Sequence, residues 1–260
     1  MVTESQQLNG YVKTEILNGI ATIEFFHPQS NSLPGALLQQ LAHEITQAGH
    51  NNDVRVIVLR SAGGKAFCAG ASFTELIAIK NKTEGLQFFS GFAQVINAMR
   101  KCPRFIIARI HGKCVGGGVG LAAGADYAIA AEGADVKLSE LAIGIGPFVI
   151  GPAVERKMGG SAFSQLSINA TSWQDAGWAH LKGLYAELHT TTTSMDEAVN
   201  DLSRQLAHSN PEAMAEMKKI FWQGTGHWDE LLHERAAISG KLILSDFSRN
   251  AIEAFKQKAK

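Results

Sequence analysis

Two segments concentrate glycine where backbone chemistry is possible: "SAGGKAFCAGASFTEL", residues 61–76, and "GKCVGGGVGLAAGAD", residues 112–126. Without a Cβ, a glycine N–H can approach a ligand closely, at a cost in conformational entropy. One chemistry for such turns is phosphate binding. Gly116, Gly118 and Gly120 read G-x-G-x-G, which misses the G-x-G-x-x-G spacing, and no G-K-[ST] follows a glycine run. A second chemistry asks only for small residues. Two backbone N–H groups from separate helix starts converge there on one oxygen that becomes negative during reaction. Tight packing of a helix start against a strand is the structural alternative.

Other reactive groups are sparse. Cys68, Cys102 and Cys114 form no CxxC pair and no metal-ligand spacing, and without a basic partner beside them Cys68 and Cys114 read as small apolar packing. His227 and His233 lack the second histidine of HExxH, so no metal is expected. His111, just before the glycine turn, is either a supporting group of a site or a hydrogen-bonded core histidine.

The elements that must position these loops follow from periodicity. "YVKTEILNGIATIEFF" reads as two strands around Asn18-Gly19, a dipeptide suited to a tight hairpin. Ala36 to Ala48 is helical in spacing, and "VRVIVLRS" is a buried strand. The β-to-α-to-β order recurs: a loop at 62–70, a helix from Ser72 (which can cap it), an amphipathic helix through Leu86 to Met99, then the strand "RFIIARI". Past Pro152 the strand signal fades into four helical segments, one of them opened by Asn210-Pro211. An α/β core with parallel strands and a helical C-terminal region is expected.

Composition narrows the class. The 260 residues carry 24 Lys+Arg against 24 Asp+Glu, so nothing in the balance favours nucleic acid or an anionic membrane surface. With 45% hydrophobic residues the chain can bury one large core. No run is long enough to span a bilayer, no signal peptide opens the chain, and the odd cysteine count suits a reducing, cytoplasmic setting.

"KAFCAGASFTEL" followed by "RFIIARIHGKCVGGGVGLAAGADYAIAAEGADVKLSELAIGIGP" resembles the crotonase superfamily, the enoyl-CoA hydratases and isomerases, across nearly the whole chain. The resemblance implies an α/β, ClpP/crotonase-like spiral of ββα units, with a core over 1–195 and a helical trimerisation region over 196–260. It places the thioester oxygen on the N–H groups of Ala71 and Gly117. It lays the CoA portion along Lys65, Ala66, Phe67, Cys68, Ala69 and Gly70, with Lys65 near CoA phosphates, and it draws Gly116, Gly120 and Phe148 into the substrate site. Phe255 and Lys258 correspond to the family's C-terminal aromatic and basic positions, over a neighbour's CoA pocket in a trimer or dimer of trimers. Coenzyme A enters only as part of the substrate, with no tightly bound cofactor.

The departure from the family lies in its acids. Hydratases of this kind carry two glutamates; here the first position is Gly120, and the second is Glu140 in "LSELAIG". Water addition shares its work between two carboxylates, whereas one carboxylate can still move one proton. Glu140, raised in pKa by the apolar "LAIGIGPFVIG", would take a proton from one carbon of an acyl chain and return it two carbons away, the reaction of an enoyl-CoA isomerase. Gly120 would leave room for a bulky acyl group. Among the other acids, Asp126 and Glu155 are expected to be structural and Glu75 to face solvent; Asp135 is unassigned. Hydration, including that of methylglutaconyl-CoA, decarboxylation of a malonyl-type thioester, and a non-catalytic CoA-binding protein stay open.

Overall fold

The computed structural model describes residues 9–258, with side chains through residue 254. Strand β1 (Tyr11–Leu17) and strand β2 (Ile20–Phe26) form the antiparallel hairpin around Asn18 and Gly19, whose φ angles of 52° and 79° are those the Asn-Gly turn demands. Helix α1 (Gly35–His50) leads to β3 (Val56–Ser61), which pairs in parallel with β2. Pro34 has no side-chain cap to offer α1; Glu75 supplies one from outside, accepting from Gly35 N at 2.8 Å. Glu75 is exposed as expected and also serves this helix end.

The spiral is then visible as a repeat. Each turn gives one strand to a large sheet and one to a small sheet before its helix. The turns run β3 then β4 (Ala66–Cys68), β5 (Phe105–Ile110) then β6 (Lys113–Val115), and β7 (Tyr127–Ala131) then β8 (Val136–Lys137). With β9 (Glu187–His189), the large sheet runs β1-β2-β3-β5-β7-β9 and the small sheet β4-β6-β8. The segment 62–70, expected to be all loop, therefore contains a strand. Short strands β4, β6, β8 and β9 have too few residues to show a period.

Between strands run α2 (Phe73–Ala78), α3 (Lys82–Lys101), α4 (Gly117–Gly124) and α5 (Gly151–Ile168). Asn81 caps α3 through Glu84 N at 3.0 Å, and Ser72 caps α2 through Glu75 N at 3.3 Å. The C-terminal helices are α6 (Ala176–Leu181), α7 (Thr192–Ala207), α8 (Pro211–Phe221), α9 (Trp228–Leu242) and α10 (Asp246–Lys258).

Alternation along the strands fills both faces of the large sheet. Ile57, Leu59, Ile106 and Ala108 face the main core with α1, α3 and α4, while Val56, Val58, Ile107 and Ile129 pack under Met195 and Val199 of α7. A division after residue 195 thus falls inside α7. Helix α9 also enters the main core with Leu232 and Ala236, so region 196–260 shares its packing with 1–195. Where α9 crosses α3, Gly85 meets Gly240: a Cβ at Gly85 would lie 2.7 Å from Gly240 Cα. Among the described residues no helix is long and apolar enough to cross a membrane.

Candidate active site

Strands β4, β6 and β8 run side by side, so their C-terminal ends deliver three turns to one place. The first turn holds Gly70 and Ala71, the second Gly116 and Gly117, the third Glu140. A cavity of about 1050 Å³ opens there. The two glycine turns touch through their backbones, since a Cβ on Gly70 would sit 3.1 Å from Val115 O and 3.6 Å from Gly117 N. Gly70 has φ +88° and Gly116 φ +52°, so both positions favour glycine. The Phe92 ring of α3 fills the space of the missing Gly117 side chain.

Ala71 and Gly117 both line the cavity. Gly117 opens α4, so its N–H has no acceptor a turn earlier. Ala71 lies opposite Leu33 in a parallel bridge whose two hydrogen bonds use Leu33 N to Gly70 O and Ser72 N to Leu33 O, which leaves Ala71 N–H unused. Two free donors therefore border one space.

Glu140 heads a 3-10 turn, Glu140–Ile143, closed by Gly144 at φ 80°. Its carbonyl accepts from Ile145 N at 3.1 Å. Phe247 and Ser248 of α10 brace this turn by occupying the side-chain space that Gly144 leaves empty. Residue 140 is half-buried as a whole, but its carboxyl end is covered: Oε2 is shielded from water and has no hydrogen-bond partner. Desolvation pushes this carboxyl up to about 7, and a hydrogen bond from its own backbone opposes the rise only in part. A Cβ on Gly116 would stand 2.8 Å from Glu140 Oε1, a second reason for glycine there.

Gly120 is fully enclosed rather than open. A Cβ at this position would lie 2.5 Å from Ile150 Cγ2 and 2.8 Å from Ile150 Cβ. The space expected to admit a bulky acyl group is occupied by Ile150, which itself lines the cavity. Glu140 is the one carboxyl side chain on the cavity wall among the described residues.

Of the remaining sequence-derived positions, Ala69, Gly70, Gly116 and Phe148 line the cavity. Ala66, Phe67 and Cys68 form β4 and turn into the core, Phe67 edge-on to Phe25 at 5.4 Å between ring centres. Lys65 is exposed beside them. The side chains of Phe255 and Lys258 lie outside the described residues. Cys68, Cys102 and Cys114 are buried and free, and burial pushes the Cys68 thiol up to about 12, so none resembles an activated nucleophile. Burial holds His111 below its ordinary value.

Asp126 has the structural role expected of it, accepting from Ile106 N at 2.8 Å, Lys218 Nζ at 2.8 Å and Trp222 Nε1 at 3.0 Å. Glu155 is exposed. The apolar walls escaped sequence reading: Phe88, Phe89 and Phe92 of α3 look like any core-facing helix stripe until the cavity appears between them and the 3-10 turn.

Comparison with known proteins follows the same lines. A model of the family Enoyl-CoA hydratase/isomerase matches residues 15–260. The chain is 28% identical over 204 residues to the (7aS)-7a-methyl-1,5-dioxo-2,3,5,6,7,7a-hexahydro-1H-indene-carboxyl-CoA hydrolase of Mycobacterium tuberculosis, covering 77% of this chain and 79% of that one. It is 31% identical over 198 residues to the mitochondrial methylglutaconyl-CoA hydratase of Homo sapiens, covering 75% of this chain and 58% of that one. A solved enoyl-CoA hydratase from Mycobacterium avium superposes with a TM-score of 0.82 at 25% identity, over 95% of this chain and 96% of that one. Motifs, spiral and alignment converge, and the chain belongs to the enoyl-CoA hydratase/isomerase family of acyl-CoA enzymes.

Proposed function

We propose that the protein is an enoyl-CoA isomerase that moves a double bond with one carboxyl group. The observation that carries this reading is the solitary Glu140: a buried carboxyl on the cavity wall, one oxygen of it without a partner, while the family's first acid position is a glycine under Ile150. In the reading, the thioester oxygen of a 3-enoyl-CoA accepts hydrogen bonds from Ala71 N–H and Gly117 N–H. The Glu140 carboxylate takes a proton from C2, and the electron pair delocalises into a dienolate whose charge rests on that oxygen. The protonated Glu140 then delivers the proton to C4, the double bond settles between C2 and C3, and the carboxylate is regenerated. A pKa near 7 suits both halves, since base and conjugate acid are each well populated at neutral pH. No co-reactant is consumed.

Hydration is the second reading, favoured by the human relative's name. It needs a water positioned without the second acid. In either reading CoA is held only as substrate, and the protein acts in the cytoplasm as a trimer or dimer of trimers; exposed Ile220 and Phe221 in the helical region fit burial between copies.

The test incubates purified protein with a 3-enoyl-CoA and, separately, crotonyl-CoA in deuterated water, with Glu140→Gln in parallel, and reads products by mass. Double-bond migration that disappears in the Gln variant supports the isomerase. Water added to crotonyl-CoA by the wild-type chain would install the hydratase instead. Inertness to both would leave a decarboxylase or a CoA-binding protein.

A further inference from the structure

The structure assigns a role to a cluster that the proton transfer does not use: we propose that Lys113, Trp173 and Lys137 form an anion-binding rim that takes a carboxylate or phosphate group of the bound thioester. This rests on the thioester reading above.

The cluster is built by the small sheet. In the parallel pairing of β6 with β8, Val115 lies opposite Lys137, and Lys113, two residues before Val115, shares its face. An antiparallel bridge from Val136 to Gln174 brings Trp173 alongside. The Lys113 ammonium lies 4.6 Å from the Trp173 ring centre and the Lys137 ammonium 5.6 Å from it. Lys137 Nζ also donates to Thr171 O at 2.8 Å.

Charge makes the arrangement unusual. Two ammonium groups beside one ring repel each other, and an exposed cation–π contact returns only about 0.5–1 kcal/mol. No carboxylate forms an ion pair with either lysine among the described residues, Asp135 included, although it stands two positions before Lys137. An ammonium has three N–H donors. Lys137 gives one to Thr171, and Lys113 gives none to an acceptor among the described residues. An anion held over the indole would satisfy donors of both lysines and relieve their repulsion, with the 43% exposed Trp173 face as an apolar floor for the carbons beside it.

The cluster reaches the cavity through Lys137, while Lys113 and Trp173 lie outside its lining. Lys137 is the one lysine or arginine that lines the cavity among the described residues, and Thr171, whose carbonyl accepts from Lys137 Nζ, lines it too. The Lys137 carbonyl accepts from Gly116 N at 2.9 Å, tying the rim to the turn next to Glu140. Glu140 aside, the other polar side chains of the lining, Gln29, Ser30, Ser32, Ser139, Thr171 and Ser239, are uncharged, so apart from Lys137 the described lining offers an anionic group no full positive charge.

Isothermal titration of the full chain with unreactive thioesters tests the rim. The ligands are butyryl-CoA, glutaryl-CoA and the 3′-dephospho form of butyryl-CoA; the proteins are wild type, Lys137→Met, Lys113→Met and Trp173→Leu, each shown folded by its melting curve. Tighter binding of glutaryl-CoA than butyryl-CoA, reduced about fivefold by either lysine variant, identifies an acyl carboxylate as the occupant. Loss of affinity on removing the 3′-phosphate, abolished in the same variants, identifies the CoA phosphate. Equal binding of every thioester by wild type and both lysine variants overturns the rim and leaves the isomerase reading intact. No binding of any thioester to wild type overturns both.

Discussion

Asp126 at the entrance to β7 and Glu140 after β8 are both shielded from water, and the chain treats them in opposite ways. Three donors, from Ile106, Lys218 and Trp222, converge on the Asp126 carboxylate, so its charge is matched inside the protein. Among the described residues Glu140 is given no side-chain donor, and one of its oxygens has no partner. A matched buried charge fastens elements together, here β5 and α8 to the start of β7. An unmatched one stays ready to change its protonation state, which is the property a proton carrier needs. The contrast separates a carboxylate held charged by its partners from one that burial leaves close to neutral.

The sharpest way to break the comparison is to neutralise each acid. Glu140→Gln should lower the isomerisation rate by about 10²–10⁴-fold, the usual worth of a positioned acid–base group, with the melting temperature unchanged or raised. Asp126→Asn should do the reverse. Stripping the charge from beside buried Lys218 should cost about 3–5 kcal/mol in urea unfolding, while the folded fraction keeps its thioester affinity. Equal stability losses in the two variants would show that Glu140 is another structural acid.

Acidity gives a smaller signal with a definite sign. Glu140 is raised from an ordinary 4.5 to about 7, so between those values the folded chain binds more protons than the unfolded one. Its contribution is fully present below pH 4.5 and is lost as pH rises towards 7. Glu140→Gln removes this dependence, so the stability of the variant relative to wild type should climb across pH 4.5–7 by at most about 3 kcal/mol and then level off. Paired urea titrations across that range measure it. A flat difference would mean that water reaches the carboxyl.

How much of this could be read beforehand depends on how local the signal is. The Asn18-Gly19 hairpin, the β-branched run of β3 and the Asn210 cap with Pro211 act within a few residues, and each element stands where its residues place it. Burial does raise the Glu140 carboxyl, but the apolar stretch after it is not a simple cover, since Leu141 and Ala142 are themselves exposed. Strands of two or three residues such as β4 and β8 exist only because neighbours pair with them, so no period betrays them. Gly120 shows the same limit at the site itself. Its sequence position reveals a missing acid, but whether the vacated space is open depends on Ile150, which the fold brings there from the next turn of the spiral.

That packing supplies the smallest test. Gly120→Ala sets a helix-propensity gain of about 1 kcal/mol against overpacking of about 1–3 kcal/mol where the new Cβ meets Ile150. The variant should therefore be neutral to destabilised by about 2 kcal/mol. In an Ile150→Ala background the clash is gone, and the same substitution should stabilise, giving a coupling energy of about 1–3 kcal/mol in a double-mutant cycle. An additive cycle would mean that Ile150 moves aside freely and does not define this wall. The same background allows a chemical reading. If space alone keeps the second acid out, Gly120→Glu with Ile150→Ala should add water to crotonyl-CoA at a measurable rate, and Gly120→Glu alone should not fit beneath Ile150. The site would then stand two side chains away from two-carboxylate chemistry, its single acid a consequence of Ile150 filling the space beside Gly120.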